Sequence, residues 1–562
     1  MHSKLLRYAA LAVAVIGLGA CDEELAVANP NAGETARVLG TAADAEALLG
    51  TYYRRWSSGV YGSTANLEGM ANVQSLMNYS SLANNCQNAR APFSGAANSN
   101  APGNVCAGEQ YRLYQFMGEV NRVASSFLGQ VKGGLTLGTP ARDARAKAYA
   151  EFLRGLSIGY VSLMYDSGSV VTDETGAEDA GELVSYKVLA DSSNAAFQRA
   201  IDLTNLAATG SEGFPLPTTW IPSPTSFTKA EFVKLIRSYR ARFRANVART
   251  PAERATVDWA AVVADAQNGI TADHLITTST TLGPGNSWRQ QYFTVGLWHQ
   301  MPPFFIGMAD VSGAYATWIA KPLSERGTDQ PFFMVTPDLR FPQGTTRAAQ
   351  NADFAKTSCN AASTVCKRYF ENRVPGGDQN SGLGLGLSNY DFVRFQSWNV
   401  SGDGTARNGN TPFMTKAEVD LLQAEGLYRQ GNFAAAGALV NITRTRNGLP
   451  AITTFDANTA VPGGATDCVP KVPVAPFNVV ACGKLLDALK YEKRIETAYT
   501  HYAPWFLDGR GWGELPKDTP LFWAVPYQDL QARGRSTADI YGTGPGPGNA
   551  PGSTAATSVY GW

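Results

Sequence analysis

Histidine is scarce in this 562-residue chain: there are four, and only His274, His299 and His501 lie beyond the first twenty residues. That leaves little material for histidine-based catalysis. No Gly-x-Ser-x-Gly, His-Glu-x-x-His or Gly-x-x-x-x-Gly-Lys-Ser/Thr pattern occurs either. The glycine run at 382–386 (GLGLG) lacks the spacing and strand-to-helix setting of a nucleotide loop and reads as a surface loop. Charge of either sign is thin, at 17% of residues, and no basic run stands out. Nucleic acid is therefore not the expected ligand. No segment after residue 20 is apolar for long enough to span a bilayer. No catalytic residue, cofactor or metal is expected, although a pair of carboxylates brought together only by folding stays open.

What is present points to an exported chain. Residues 1–20 carry Lys4 and Arg7 ahead of a short apolar stretch, the pattern of a secretory signal. The stretch ends in Leu18-Gly19-Ala20-Cys21, which looks like a bacterial lipobox whose thiol takes a diacylglycerol; an ordinary signal with an incidental cysteine is the alternative. Two or three acyl chains would suffice for stable anchoring. Removing the leader turns the balance of 47 basic and 47 acidic residues slightly acidic. The six remaining cysteines fall into neighbours: Cys86 and Cys106, Cys359 and Cys366, Cys468 and Cys482. Three loop-stapling disulfides suit an exported protein, and local pairing is preferred because short closed loops need no special fold. Without a C-x-x-C or a histidine close to these cysteines, zinc is disfavoured.

The organisation follows from breakers and periodicity. Residues 21–40 read as an acidic and polar tether. Apolar residues at helical spacing predict helices over 41–56, 110–128, 141–164, 186–206 and 228–248, the last with Thr228 and Glu231 placed as a capping box. From about 276 to 411, glycine, proline, serine and asparagine interrupt everything and aromatics crowd in. Helical patterning returns over 415–430, 433–446 and 484–500, before a glycine- and proline-rich tail from about 535 to 562. Ala424, Gly426, Ala435 and Ala438 are small residues that would let two antiparallel helices approach closely, as in a tetratricopeptide pair. The expected architecture is one large, mainly α-helical domain over 41–562, with helical blocks at 41–275 and 412–500 around the loop-rich insertion.

Several stretches, in order, resemble the SusD/RagB family of nutrient-uptake lipoproteins. They are the lipobox with its acids and Asn29-Pro30-Asn31, the alanine-rich helix closing on "YDSG", the helix pair closing on Arg444-x-Arg446-x-Gly448-Leu449-Pro450, and "LLDALKYEKRIETAY" followed by "DGRGWGEL". The family often has Glu-x-x-Arg-Trp-x-Asp-Leu after that last helix; here Trp505 and Asp508 remain and the Glu and Arg do not. The resemblance implies an all-α-dominated, SusD-like fold of degenerate tetratricopeptide pairs. It implies capture of an oligomeric nutrient, in the first place a glycan, and delivery to a SusC-like TonB-dependent outer-membrane transporter. It also implies a lipid-anchored place on the cell surface, with Asp22-Glu23-Glu24 as the export signal, and a structural role for Glu492, Arg494 and Glu496. A surface glycosidase and a scaffold without small ligand are the rivals. For the ligand, Trp288, Tyr292 and Trp298 are the candidates. They sit among Asn286, Arg289 and Gln290, and aromatic rings offer flat contact faces with polar neighbours for hydroxyls.

Overall fold

The computed structural model describes residues 40–61, 67–78, 100–104, 107–176, 179–207, 212–278, 301–326, 332–353, 368–373, 389–394, 409–500 and 502–535. The leader, Cys21, the tether and the tail beyond 535 lie outside these residues.

Helices dominate. The first block holds α1 (Ala42–Tyr61), α2 (Leu67–Gln74), α3 (Ala107–Lys132), α4 (Pro140–Met164), α5 (Tyr186–Leu206), α6 (Lys229–Asn246), α7 (Pro251–Ala255) and α8 (Trp259–Gln267). Their starts are written in local chemistry. Thr139 and Thr250 cap helices that open on Pro140 and Pro251, whose missing N–H costs nothing there. Thr228 accepts from Glu231 N at 3.3 Å while Glu231 Oε2 accepts from Thr228 N at 2.9 Å, the expected capping box.

Helix α4 is buried on nearly all sides and forms the spine of the largest core. Two glycines let its neighbours in. A Cβ on Gly155 would stand 2.5 Å from the Phe197 ring of α5, and one on Gly159 would stand 2.2 Å from Phe243 of α6. Any side chain there would push the helices apart. In the same core, Tyr53 of α1 places its hydroxyl 3.1 Å from Nε2 of the buried His274.

Among the described residues, strands come as four antiparallel pairs: β1 (Ser167–Ser169) with β2 (Leu183–Ser185), β3 (His274–Thr278) with β6 (Gly409–Met414), β4 (Phe370–Asn372) with β5 (Tyr390–Phe392), and β7 (Lys471–Val474) with β8 (Val479–Cys482). Where described, the loop-rich insertion adds short helical turns such as Pro303–Ile306 and Ala314–Ile319. They form a second core with Tyr491, Ile495 and Trp505. Trp318 belongs to it, buried edge-on against Phe304 at 4.8 Å.

The C-terminal block holds α9 (Lys416–Arg429), α10 (Phe433–Arg446), α11 (Leu485–Thr497), α12 (Pro504–Trp512) and α13 (Tyr527–Ala532). α9 and α10 form the expected helix pair, but two of the four small residues serve differently. Ala438 is exposed, and Ala436 with Gly437 turns inward instead. Gly426 makes room for α8: a Cβ there would stand 2.5 Å from Val263 and 3.2 Å from the Trp259 carbonyl oxygen. The expected 484–500 helix stops at Thr497, because Ala498 leaves the helical region with ψ of 121° and Tyr499 turns left-handed with φ of 58°. Cys468 and Cys482 are joined, with an S–S distance of 1.99 Å and Cα atoms 5.7 Å apart. Cys86, Cys106, Cys359 and Cys366, for which local pairing is expected, lie outside the described residues. Among the described residues, no helix is long and apolar enough to cross a membrane.

Candidate ligand-binding clefts

Ionisable groups are abundant in the interior, and most are occupied in holding the fold. Helix α11 carries Glu492 and Glu496 one turn apart on one face. Both meet Arg340, whose guanidinium also lies 2.7 Å from Asp338. Glu496 further binds Arg394 at 3.2 Å and Arg446 at 3.0 Å. Arg494, on another face, pairs with Glu514 at 2.6 Å. Burial would raise the Glu496 carboxyl, but the cations around it hold it below its ordinary range. With Arg340, Glu492 and Glu496 sealed from solvent, this is a structural network. His274 is likewise buried; desolvation, then the charge of Arg242, pushes it down to about 3, so it stays neutral. Among the described residues no cluster of His, Cys, Asp and Glu could hold a metal ion.

Open space among the described residues includes three clefts. The first, about 320 Å³, has Phe227, Ile270 and His274 in its lining and Glu231, Lys234 and Asp273 among its polar groups. Glu231 is spent on the capping box, and Asp273 accepts from the Lys416 N–H at 2.8 Å. The second, about 330 Å³, is lined by Met117, Ile158, Val161 and Val171 together with Arg122 and Arg533. Those arginines hold a loop in place: Arg122 donates to the Gly176 carbonyl at 2.9 Å and Arg533 to that of Gly181 at 2.5 Å.

The third cleft, about 340 Å³, lies where α5, α6 and the α7–α8 connection meet. Tyr186 opens α5 and is locked from three directions. Its N–H donates to the Asp166 carbonyl at 3.0 Å, its hydroxyl donates to Glu253 Oε1 at 2.5 Å, and the buried Arg249 guanidinium packs 3.6 Å from its ring centroid. Burial, then the Glu253 bond, pushes the phenol up to about 12, so it remains a donor at every physiological pH. Asp191 and Asn194 of α5 make no side-chain hydrogen bond among the described residues, unlike the acids of the first cleft. Arg244 and Asp258 complete the polar rim.

The residues singled out from sequence do not come into view here: Trp288, Tyr292 and Trp298 all lie in 279–300, outside the described residues. Only the ends of that segment are placed. Thr278 pairs with Gly409 at the end of the β3–β6 ladder, and the Met301 N–H donates to the Tyr390 carbonyl of β5 at 3.2 Å. Sequence reasoning passed over the third cleft. A lone Tyr186, an Asp191 and an Asp258 carry no motif, and only folding brings them together.

No protein-family model and no curated protein matches the sequence. Solved structures do match in shape. A SusD superfamily protein from Parabacteroides distasonis aligns with a TM-score of 0.54 at 12% identity, covering 87% of this chain and 97% of that one. A SusD homolog from Bacteroides thetaiotaomicron aligns with a TM-score of 0.49 at 14% identity, covering 92% and 93%. A laminarin-binding SusD-like protein aligns with a TM-score of 0.46 at 15% identity, covering 88% and 94%. With helices in the order that the sequence resemblance implied, and with the Parabacteroides protein matched over nearly its whole length, this chain has the SusD-like fold.

Proposed function

We propose that this chain is a surface-anchored lipoprotein that captures an oligomeric nutrient, a glycan in the first place, and passes it to a SusC-like TonB-dependent outer-membrane transporter. The observation that carries the reading is the SusD-like fold, matched over 97% of the Parabacteroides protein. The lipobox at Cys21 supports the anchor, since the lipid would hold a chain whose described helices do not cross a membrane. Aromatic residues concentrated in 279–300 support a ligand with flat apolar faces and many hydroxyls.

The test is native affinity electrophoresis of the full chain through gels loaded with neutral polysaccharides, with release of reducing ends followed in parallel. Retardation without turnover is the expected result. Turnover would replace the receptor by a surface glycosidase, and neither retardation nor turnover would leave a scaffold protein. Purification from outer membranes under mild detergent should bring down a TonB-dependent barrel in constant ratio. Its absence would remove the transporter from the proposal.

A further inference from the structure

We infer that the third cleft, between α5, α6 and the α7–α8 connection, is a saccharide subsite that takes a neutral hexose unit. The inference rests on the glycan-receptor reading above and adds residues that do not belong to the 279–300 segment. Three properties carry it.

The first is preorganisation. An aromatic platform is useful to a ligand when its position is settled beforehand, because less freedom is lost on binding. Tyr186 has its backbone N–H and its hydroxyl engaged and its ring packed against two cations, Arg249 at 3.6 Å and Lys187 at 5.7 Å from the centroid, yet the residue is only half-buried and lines the cleft. It stands on helices, not on a loop.

The second is polar capacity left over after folding. Asp191 and Asn194 are three residues apart and so share one face of α5. Neither is spent on the fold among the described residues. Across the cleft, Asp258 uses one oxygen to accept from the Ala261 N–H at 2.9 Å and caps α8, with the carboxylate otherwise exposed. Small-molecule sites combine an apolar contact with a few convergent polar groups, and this volume of about 340 Å³ falls at the small end of their range.

The third is charge. Lys187 and Arg244 stand against Asp191, Glu253 and Asp258, so the cleft offers no field of one sign. A phosphate or a free carboxylate would meet acids, and a simple cation would meet bases. A sugar hydroxyl both donates and accepts, so it satisfies carboxylate, amide and guanidinium together.

The experiment is calorimetry on the full chain with three neutral hexasaccharides as probes: an α-1,4-glucan, a β-1,3-glucan and a β-1,4-mannan. The wild type should bind at least one. The double variant Asp191→Ala/Asn194→Ala removes an exposed carboxylate and a part-buried amide whose Oδ1 has no hydrogen-bond partner, so its melting temperature should match wild type while affinity for that probe falls about tenfold. Tyr186→Phe keeps the ring and should lose less than Tyr186→Leu. Wild-type chain that binds none of the three probes overturns the inference. Wild-type affinity in the double variant also overturns it, and in that case a chain still retarded by polysaccharide keeps the receptor reading intact.

Discussion

Arg254 and Glu425 stand 171 residues apart and form a two-point ion pair in the interior: Nε donates to Oε1 over 2.7 Å and Nη2 to Oε2 over 2.5 Å. Asp508 lies 3.0 Å from the same Nη2, and Lys493 lies 2.8 Å from Asp508. Helices α7, α9, α11 and α12 thus converge on one desolvated cluster. Burial alone would raise the Glu425 carboxyl, but Arg254 holds it well below the carboxylate range.

Breaking this pair from one side should be costly. Glu425→Ala leaves Arg254 buried with only Asp508 to balance it and Lys493, and should destabilise the protein by roughly 3–5 kcal/mol. Replacing the pair together, Arg254→Met with Glu425→Leu, should cost less than Glu425→Ala alone. Urea unfolding of the three proteins measures both, and a double variant worse than the single one would contradict the account.

Two groups give stability opposite pH dependences. Asp166 is pushed up to about 6, chiefly by burial, against an ordinary 3.8. Its neutral form is favoured in the fold, so its contribution is complete below the unfolded pKa and is lost as pH rises through about 6. The span corresponds to roughly 2–3 kcal/mol. Relative to wild type, Asp166→Asn should therefore gain stability between pH 4 and 6. His274 runs the other way. Held neutral down to about 3, it contributes above its unfolded value of 6.5 and loses that contribution as pH falls. His274→Gln should flatten the acid limb of the stability profile; an unchanged limb would remove His274 from the explanation.

The Cys468–Cys482 bridge closes a loop with a sequence separation of 14. The chain-entropy estimate for a loop of that size is about 3 kcal/mol. Cys468→Ser/Cys482→Ser should lower stability by that order, and non-reducing peptide mapping should recover this link. The same digest tests the local pairs Cys86–Cys106 and Cys359–Cys366 directly.

Tryptophans of one insertion should separate into two kinds. Trp318 is core, so Trp318→Ala should lower the melting temperature sharply, by about 3–5 kcal/mol of stability. Trp288→Ala/Trp298→Ala should leave melting nearly unchanged and weaken binding of the glycan that retards the chain by roughly 1–3 kcal/mol per ring. A large fall in melting temperature for the double variant would show that those rings are packed as Trp318 is.

Much of the helical framework was legible before folding was considered. Helices at Tyr186–Leu206 and Phe433–Arg446 stand where periodicity and breakers put them, and Thr228 with Glu231 makes the cap its spacing announced. Caps, periods and stop signals are interactions within a turn or two, so a one-dimensional reading contains them. Pairings across the chain are a different matter. No local pattern says that Arg254 will meet Glu425, that Gly426 will admit α8, or that Ala438 will face solvent while Gly437 packs under Phe455. Nor does any say that Tyr186, Arg244 and Asp258 will border one cleft. Sequence by itself determined the long helices and several of their caps, while short ones such as Trp259–Gln267 and Pro504–Trp512 carried too few periods to be read. Only the tertiary structure decided which faces meet, because burial and ion pairing reward contacts between residues whose separation along the chain carries no information about their separation in space.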